Sequence, residues 1–486
     1  MEVIQKIVDT VNTYLSDYIL IFLLVSVGLF YSIRTKFVQV RCFGEGLTNV
    51  FGNIKLKGNK QKGGMSSFQA LATAIAAQVG TGNIVGACGA IFIGGPGAIF
   101  WMWVIAFFGM ATIYAEATLA QKTRVVNEDG SVEGGPVYYI RAAFKGKLGK
   151  FLAGFFAVVA TLALGFMGAM VQSNSIAANF GGVFKAFGAN DSVVNVVTVV
   201  VGILLAAFAA FILIGGVQRL ASVTEKIVPI MAMTYIIGSL FVLCINITAI
   251  PATFGLIFKY AFVPQAMIGG AAGAAIKAAI SQGAKRGLFS NEAGMGSTPH
   301  AHALANVKNP HQQGASAMIS VFIDTFIVLT MTALVVISTL YTGGTITPEN
   351  YESLKSSGEI SGSNMAQLAF SSTFAKLFGD AAGNIIGTLF VAVCLFFFAF
   401  STIISWNYFG KVNFCHLFGK KYTVIYSLIA IIFVFLGSLL SNDLVWALTD
   451  MFNNLMVIPN AITLFALGGV VVSMTKFKNK DLPEIK

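Results

Sequence analysis

The stretch AAQVGTGNIVG, Ala76 to Gly86, lies near the middle of an apolar run from Phe68 to Ile93. A glycine inside a helix costs about 0.8–1.0 kcal/mol relative to alanine, so three glycines with Thr81 and Asn83 disfavour a continuous helix. In hydrocarbon, every backbone N–H and C=O needs a partner, so an interrupted helix survives only where protein, a ligand or a lined cavity supplies one. If the run crosses a membrane, its interruption predicts a binding site.

The composition is that of a membrane protein with many spans. Of the 486 residues, 56% are hydrophobic and 10% are charged, against roughly 25% charged residues in soluble domains. The net charge of +11 does not indicate a nucleic-acid partner, because the basic residues are scattered through the connections. The first 17 residues lack the basic start and the cleavage site of a signal peptide, so we expect the first apolar run to be retained.

Five cysteines at irregular spacings support neither a disulfide framework nor a zinc site. Cys88, Cys244 and Cys394 fall within apolar runs, where we expect buried free thiols.

Eleven apolar runs approach the length of about 20 residues that a membrane-spanning helix needs. They predict an all-α polytopic membrane protein, because barrel strands would alternate apolar and polar residues. The runs are Tyr18–Ile33, Phe68–Ile93, Gly97–Ala120, Phe151–Ile176, Val193–Ile214, Ile227–Ile247, Phe262–Gln282, Ala315–Tyr341, Ile385–Tyr408, Val424–Leu440 and Leu455–Met474.

The positions of Lys and Arg predict the orientation. Of the basic residues, 25 lie in the connection after the first run, in every second connection after it and in the C-terminal tail. The N-terminus and the remaining connections together carry 5. Because basic residues accumulate on the cytoplasmic side, we expect an outside N-terminus and a cytoplasmic C-terminus in the cell membrane. The longest outer connection, 342–383, contains NMAQLAFSSTFAKLF, whose apolar residues recur at helical spacing and predict a cap helix.

A second glycine cluster, GGAAG at Gly269–Gly273, interrupts the seventh run, which crosses in the opposite direction to the second run. Paired interruptions of this kind are typical of inverted repeats with a substrate site between them. The predicted organisation is an N-terminal segment with an extra span and a basic loop (1–66), a first repeat (67–250), a second repeat (251–475) and a cytoplasmic tail (476–486). The alternative is that the glycines only allow close helix packing.

The two halves of the interrupted second run offer opposite partial charges. The half that begins near Thr81 presents free N–H groups and a positive dipole end, which favour a carboxylate. The half that ends before Thr81 presents free carbonyl oxygens, which favour a small hard cation. One interruption can therefore bind an amino acid and a cation together.

Four stretches carry a resemblance to a known family. They are GGMSSFQALATAIAAQVGTGNIVGACGAI, KRGLFSNEAGMGSTPHAHA, FAFSTIISWNYFG and DLVWALTDMFNNLMVIPN. Over nearly its whole length the chain resembles the alanine or glycine:cation symporters of the amino acid-polyamine-organocation superfamily. The resemblance implies a leucine-transporter-like fold, with a 5+5 inverted repeat and one extra N-terminal helix, and Na⁺-coupled uptake of small neutral amino acids such as alanine and glycine.

The resemblance also implies which groups bind the ligands. The substrate carboxylate would meet the amides of Thr81 and Gly82, with Asn83 supporting the interruption. Gln172 and Trp406 would line the rest of the pocket, and Trp406 as its floor would favour small side chains. Gln172 can instead form only an interhelical hydrogen bond, and Trp406 can be packing alone. The full set of expected substrate contacts is Gln78, Thr81, Gly82, Asn83, Gln172, Gly269, Gly270, Thr402 and Trp406.

For the cation, the resemblance implies five oxygens without a formal charge. Such a set suits Na⁺ better than Mg²⁺, which prefers a near-ideal octahedron and keeps its waters. The expected ligands are the carbonyl oxygens of Ala76, Val79 and Phe398 and the hydroxyls of Ser401 and Thr402.

Glu116, Lys277 and Asp324 lie within apolar runs, where an ionisable residue is a functional candidate because its burial is costly. Lys277 can pair with either carboxylate as a lock that rearranges during transport. Alternatively, Glu116 and Lys277 extend to the cytoplasmic interface. A proton carried by Glu116 or Asp324 is the alternative to Na⁺ coupling.

The stretch KRGLFSNEAGMGSTPHAHA is predicted to lie on the cytoplasmic side after the seventh run, with Gly294 and Gly296 as a hinge or inner gate. His300 and His302, together with Glu292, do not match the i, i+4 spacing of helical zinc pairs. We therefore expect no metal centre and no enzyme. A channel is disfavoured because no repeated filter segment is present.

Overall fold

The computed structural model describes residues 2–52, 64–128, 130–263 and 272–475, and helices dominate it. Two of the predicted runs form bent helix pairs, Ser67–Gln78 with Gly82–Gly94, at 46°, and Asn442–Ala466 with Gly468–Thr475, at 61°. The all-α polytopic prediction is confirmed. Within the described part, 8 further helices are long and apolar enough to cross a membrane: Gln5–Arg34, Ala98–Thr123, Gly146–Ala186, Asp191–Ile214, Gly216–Ile245, Pro310–Tyr341, Asp380–Phe418 and Lys420–Leu439.

The seventh predicted run does not form one helix. A helix over Ile247–Phe262 ends where that run begins, and the next described helix is Ala272–Asn291. Gly269 and Gly270, which were expected to contact substrate, lie outside the described residues. Gly273, the last residue of the predicted interruption, lies inside the Ala272–Asn291 helix.

Several segments between the long helices are structured. The N-terminal residues, expected to precede the first span as a polar segment, form the helix Glu2–Tyr14, which runs into the first span. The connection 342–383 contains the helix expected there and a second, shorter one. The short elements are the helices Val38–Arg41, Phe43–Phe51, Pro136–Ala143, Pro299–His302, Tyr351–Ser357 and Met365–Phe378, and the antiparallel strands Val125–Val126 and Val132–Glu133.

The long helices form an inner and a peripheral set. In the most apolar part of Pro310–Tyr341, 67% of the residues are buried, against 28% in Asp191–Ile214. The peripheral helix exposes large apolar side chains such as Phe208 and Phe211. In a multi-pass membrane protein such a surface faces lipid. The interrupted Ser67–Gln78 and Gly82–Gly94 pair lies inside this bundle, with residues 70–88 all buried.

Gly80 and Gly82 lie where two other helices touch the interruption. A Cβ atom on Gly80 would lie 2.3 Å from the Thr402 hydroxyl oxygen, on the helix Asp380–Phe418. A Cβ atom on Gly82 would lie 3.0 Å from the Phe289 ring and from the Ser290 Cα, on the helix Ala272–Asn291. These glycines therefore allow two helices to approach the backbone of the interruption.

We predict that Gly80→Ala destabilises the protein while Gly89→Ala does not. The new methyl group at Gly80 would overlap Thr402, and overpacking of this kind costs about 1–3 kcal/mol. Gly89 lies on the helix that follows the interruption, and a Cβ there meets nothing within 4 Å. Thermal unfolding of the two purified variants in the same detergent measures the difference. Equal unfolding midpoints would contradict the close approach.

Candidate functional site

The interruption in the second run is held by a side chain of its own segment. The helix Ser67–Gln78 starts with a capping box between Ser66 and Gln69 and ends at Val79, whose φ of −78° and ψ of 85° leave the helical region. The Gly80 N–H then donates to the Asn83 side-chain oxygen at 3.0 Å. Asn83 thus satisfies a backbone group that the helix leaves free.

Two hydroxyls of the helix Asp380–Phe418 meet the carbonyl end of Ser67–Gln78. Ser401 Oγ lies 3.1 Å from the Ala76 carbonyl oxygen and 2.9 Å from that of Phe398. Thr402 Oγ1 lies 3.0 Å from the Ala76 oxygen and 3.2 Å from that of Phe398. The Ala77 carbonyl, absent from the predicted set, is 3.1 Å from Thr402 Oγ1. Four of the five predicted cation ligands therefore converge, and Val79 ends the helix beside them.

The Thr81 amide, expected to bind a carboxylate, is hydrogen-bonded to Gln172. Gln172 Oε1 accepts from the Thr81 N–H at 3.0 Å and from its hydroxyl at 2.5 Å. The partner of this amide in the structure is thus a neutral amide oxygen. Gln172 therefore makes an interhelical hydrogen bond, which is the alternative role expected for it. The bond is to the Thr81 amide, which is also the group expected to bind the substrate carboxylate.

A second interruption lies beside the first, at a position that the sequence analysis assigned to the cytoplasmic side. The helix Ala272–Asn291 ends, Glu292, Gly294 and Gly296 adopt φ values of 58°, 95° and 80°, and Pro299–His302 resumes as helix. Residues 287–305 are all buried. Gln78 Nε2 donates to the Asn291 carbonyl at 2.8 Å, which joins the two interruptions. The stretch is therefore a buried interruption of the bundle and not an exposed connection that follows a span.

The signal that could have located this second interruption is the polar run Ser290, Asn291 and Glu292 before two glycines. A scan for apolar runs passes over such a segment. The neighbouring Lys285 and Arg286 also gave it the charge of a cytoplasmic connection.

The Asp324 carboxylate accepts hydrogen bonds from residues at both interruptions. It accepts from Asn83 Nδ2 at 2.7 Å and from Ser290 Oγ at 2.9 Å, and also from the hydroxyl of Thr325 at 2.8 Å. Asp324 is fully buried. Its partners are neutral donors, which satisfy a buried carboxylate without forming an ion pair.

Glu116 is a second buried carboxylate at the second interruption. It accepts from the Gly294 N–H at 3.1 Å and from Asn460 Nδ2 at 2.6 Å. Glu116 is fully buried, which contradicts the alternative in which it extends to the cytoplasmic interface. Lys277 is exposed and contacts Tyr18, through a 3.1 Å hydrogen bond and over its ring. The described contacts of both carboxylates are therefore not with Lys277.

Trp406 lies below the first interruption, one turn after Thr402, and is fully buried. Its indole N–H donates to Glu292 Oε1 at 2.6 Å. The Phe289 ring meets it edge-on, with centroids 5.6 Å apart. Because Phe289 also touches Gly82, the Trp406 ring is one side chain away from the interrupted backbone.

The histidines pair with polar groups of neighbouring segments. His300 Nδ1 lies 2.7 Å from the Ser297 carbonyl and Nε2 lies 2.9 Å from Asn413 Nδ2. Of the described residues, the three that could share a metal ion are Cys42, Glu45 and His311. In that group His311 already bonds Tyr114 and Glu45, at 2.6 and 3.2 Å.

The five cysteines are free. Cys88 and Cys394 are buried as expected, but Cys244 is exposed, because its helix Gly216–Ile245 belongs to the peripheral set.

A model of the sodium:alanine symporter family matches residues 1–483. The chain belongs to this family. It is 38% identical to the Methanococcus maripaludis protein named sodium/alanine symporter AgcS over 476 residues, which cover 98% of this chain and 97% of that protein. It is also 38% identical to the Bacillus subtilis amino-acid carrier protein AlsT, over 97% of this chain and 95% of the relative. The family consists of transporters, not enzymes.

The fold is that of the leucine-transporter-like proteins. The crystal structure of MhsT in complex with L-phenylalanine superposes with a TM-score of 0.55, at 17% sequence identity, over 85% of this chain and 89% of MhsT. At that identity the likeness establishes the fold alone.

Two cavities approach the interruptions of this sodium:alanine symporter family member from opposite ends. The first, of about 920 Å³, lies on the side of the connection 342–379. At its base Arg286 forms a two-armed ion pair with Asp450, both arms at 3.1 Å, and lies over the Trp446 ring at 4.4 Å. The second, of about 460 Å³, is lined by His300, Tyr408 and the strand Val132–Glu133. Arg286 lines the first cavity and His300 lines the second, and the second interruption lies between these two residues in sequence.

We predict that Asp324→Ala destabilises the transporter much more than Asp380→Ala. The first change leaves the buried donors of Asn83 and Ser290 without an acceptor, and each such group costs about 1–3 kcal/mol. Asp380 is exposed in the first turn of its helix, where a carboxylate contributes about 0.3–1 kcal/mol. Thermal unfolding in one detergent compares them. Similar unfolding midpoints for the two variants would show that Asp324 does not stabilise the two interruptions.

Proposed function

We propose that the protein is a secondary active transporter that moves a small neutral amino acid, alanine or glycine, into the cell together with Na⁺ by alternating access. The observation that carries this proposal is the convergence of the Ser401 and Thr402 hydroxyls on the Ala76 and Phe398 carbonyls. These oxygens lie where the first interrupted helix ends.

Na⁺ is the cation that this set of oxygens favours. Hydroxyl hydrogens rotate freely, so Ser401 and Thr402 can turn their lone pairs towards an ion instead of donating to the carbonyls. With the carbonyl oxygens of Ala76, Val79 and Phe398, the ion would have five neutral ligands. Such a site does not demand the octahedral geometry that Mg²⁺ requires.

The amino acid would bind beside this ion, at the start of the second half-helix. Its carboxylate would replace the Gln172 oxygen at the Thr81 amide, where the half-helix dipole favours a negative charge. The proposed pocket is completed by Gln78, Gly82, Asn83, Thr402 and Trp406. Trp406 and Phe289 take up the space that a large side chain would need, and the name of the relative AgcS supports alanine.

Binding of the ion and of the amino acid would be coupled, because both would stabilise the same unwound segment. Each would then raise the affinity for the other by one coupling free energy.

Alternating access would open the two cavities in turn. We assign the 920 Å³ cavity to the outside of the cell, with the N-terminus, and the 460 Å³ cavity to the cytoplasm, with the tail 476–486. The predicted repeats, 67–250 and 251–475, would each contribute one interrupted helix.

Proton coupling is the second candidate, because Glu116 and Asp324 are fully buried carboxylates at the interruptions. Purified protein in liposomes separates the two possibilities. We expect labelled alanine to accumulate with an inward Na⁺ gradient at equal pH, and not with an inward proton gradient in Na⁺-free buffer. Counterflow across a panel of amino acids then ranks the substrates. Accumulation driven by the proton gradient alone would overturn the assignment of Na⁺.

We predict that Thr402→Ala raises the Na⁺ concentration for half-maximal alanine uptake by about tenfold, equivalent to about 1.4 kcal/mol. The change removes one of the five proposed ligands. Thr388→Ala is the matched control on the same helix, because its hydroxyl bonds only carbonyls of its own helix, Asn384 and Ile385. The measurement is alanine uptake by the two variants as a function of Na⁺ concentration. An unchanged half-saturation in Thr402→Ala would count against this cation site.

A further inference from the structure

Glu292 has an unusual backbone for a buried residue. Three non-glycine residues of the described chain have positive φ, and the other two, Lys36 and Phe37, lie in an exposed turn. Glu292 has φ 58° and is fully buried. A left-handed conformation costs a non-glycine residue about 1–2 kcal/mol, and strained residues cluster where a site needs a side chain in a fixed direction.

The direction of the Glu292 side chain is set by two hydrogen bonds. Oε1 accepts the Trp406 indole N–H at 2.6 Å, and Oε2 accepts the Ser297 hydroxyl. The indole N–H is the only donor of a tryptophan side chain. Glu292 therefore satisfies the one polar atom of this buried ring.

The Trp406 ring is confined on its other sides. A Cβ atom on Gly168 would lie 2.1 Å from the ring, so Gly168 leaves room for it. Phe289 meets its face at 71°, and Phe289 in turn touches Gly82. A rotation of the Trp406 ring would therefore change the space next to the proposed carboxylate site.

We propose that Glu292 is a positioning residue that fixes the Trp406 ring as the floor of the pocket and so sets the largest amino-acid side chain that the transporter accepts. This inference rests on the proposed function. Glu292 acts through the indole N–H, and the carboxyl group is used as an acceptor, not as a charge that meets the substrate.

Four variants test this role. Glu292→Gly removes the side chain without adding strain, because glycine readily adopts positive φ. Glu292→Gln keeps an oxygen acceptor for Trp406, and its amide can donate to Ser297. Trp406→Phe keeps a ring but loses the N–H. The double variant Glu292→Gly with Trp406→Phe completes a cycle. The exposed Glu359→Ala serves as the control for preparation and reconstitution.

The readout is competition of labelled alanine uptake by unlabelled alanine, valine and leucine. One or two methylenes in a pocket are commonly discriminated by a factor of about 10–200. We expect Glu292→Gly and Trp406→Phe each to reduce the leucine-to-alanine ratio of half-inhibiting concentrations by about tenfold. The double variant should add less than twofold to the larger single effect. Glu292→Gln and Glu359→Ala should stay within about twofold of the unmodified protein.

Three results would overturn the inference. If Glu292→Gln loses discrimination as fully as Glu292→Gly, the charge matters and not the hydrogen bond. If Glu292→Gly raises the alanine half-saturation with an unchanged ratio, Glu292 contacts the amino group instead. If the effects of the two single variants multiply in the double variant, Glu292 and Trp406 act independently.

Failure of the proposed function is distinguishable from these results, since the unmodified protein would then show no Na⁺-driven alanine uptake. For variants that do not transport, a protein with Trp406 as its sole tryptophan gives a second measurement. Its fluorescence emission should shift in the Glu292→Gly variant and be restored in Glu292→Gln. Identical emission in the unmodified protein and Glu292→Gly would equally overturn the proposal.

Discussion

The structure depends on satisfying backbone groups that two interrupted helices expose inside the membrane. No water in the hydrocarbon can bond to a free N–H or C=O, so each must find a partner in the protein or in a ligand. Side chains fill this need throughout the site. Asn83 caps the Gly80 amide, Gln172 caps the Thr81 amide and Glu116 caps the Gly294 amide, while Ser401 and Thr402 meet the carbonyl end of the first half-helix. The backbone groups that the proposed substrate and ion would bind are thus already hydrogen-bonded to side chains. The ligands would replace these hydrogen bonds.

Much of this arrangement follows from local features of the sequence. The glycines at 80 and 82 predict the first interruption because they lie in an otherwise apolar run, and the structure adds the reason for glycine, which is contact with Thr402 and Phe289. The hydroxyl pair at 401 and 402 followed from the family resemblance, not from spacing. Its approach to Ala76 joins residues that are 325 and 326 positions apart, a contact that no local pattern contains.

The second interruption was misplaced for a physical reason. Lys285 and Arg286 precede it, and basic residues normally mark a cytoplasmic connection. In the fold, Arg286 pairs with Asp450 at the base of a cavity, so its charge is compensated within the bundle. Charge patterning alone therefore does not distinguish a cytoplasmic connection from a segment whose charge is compensated inside the bundle. The hydrogen bond from Asn460 to Glu116 also lies outside any local pattern, because the two residues are 344 positions apart.

The position of Arg286 on the helix Ala272–Asn291 has a mechanical consequence. The same continuous helix carries Arg286 against Asp450 and, about one turn later, Phe289 against Gly82. A helix of this length behaves as a stiff rod, so a tilt that separates the ion pair also lifts the aromatic ring from the unwound backbone. The ion pair and the ring contact are therefore mechanically coupled through one turn of helix, and neither can shift far without the other.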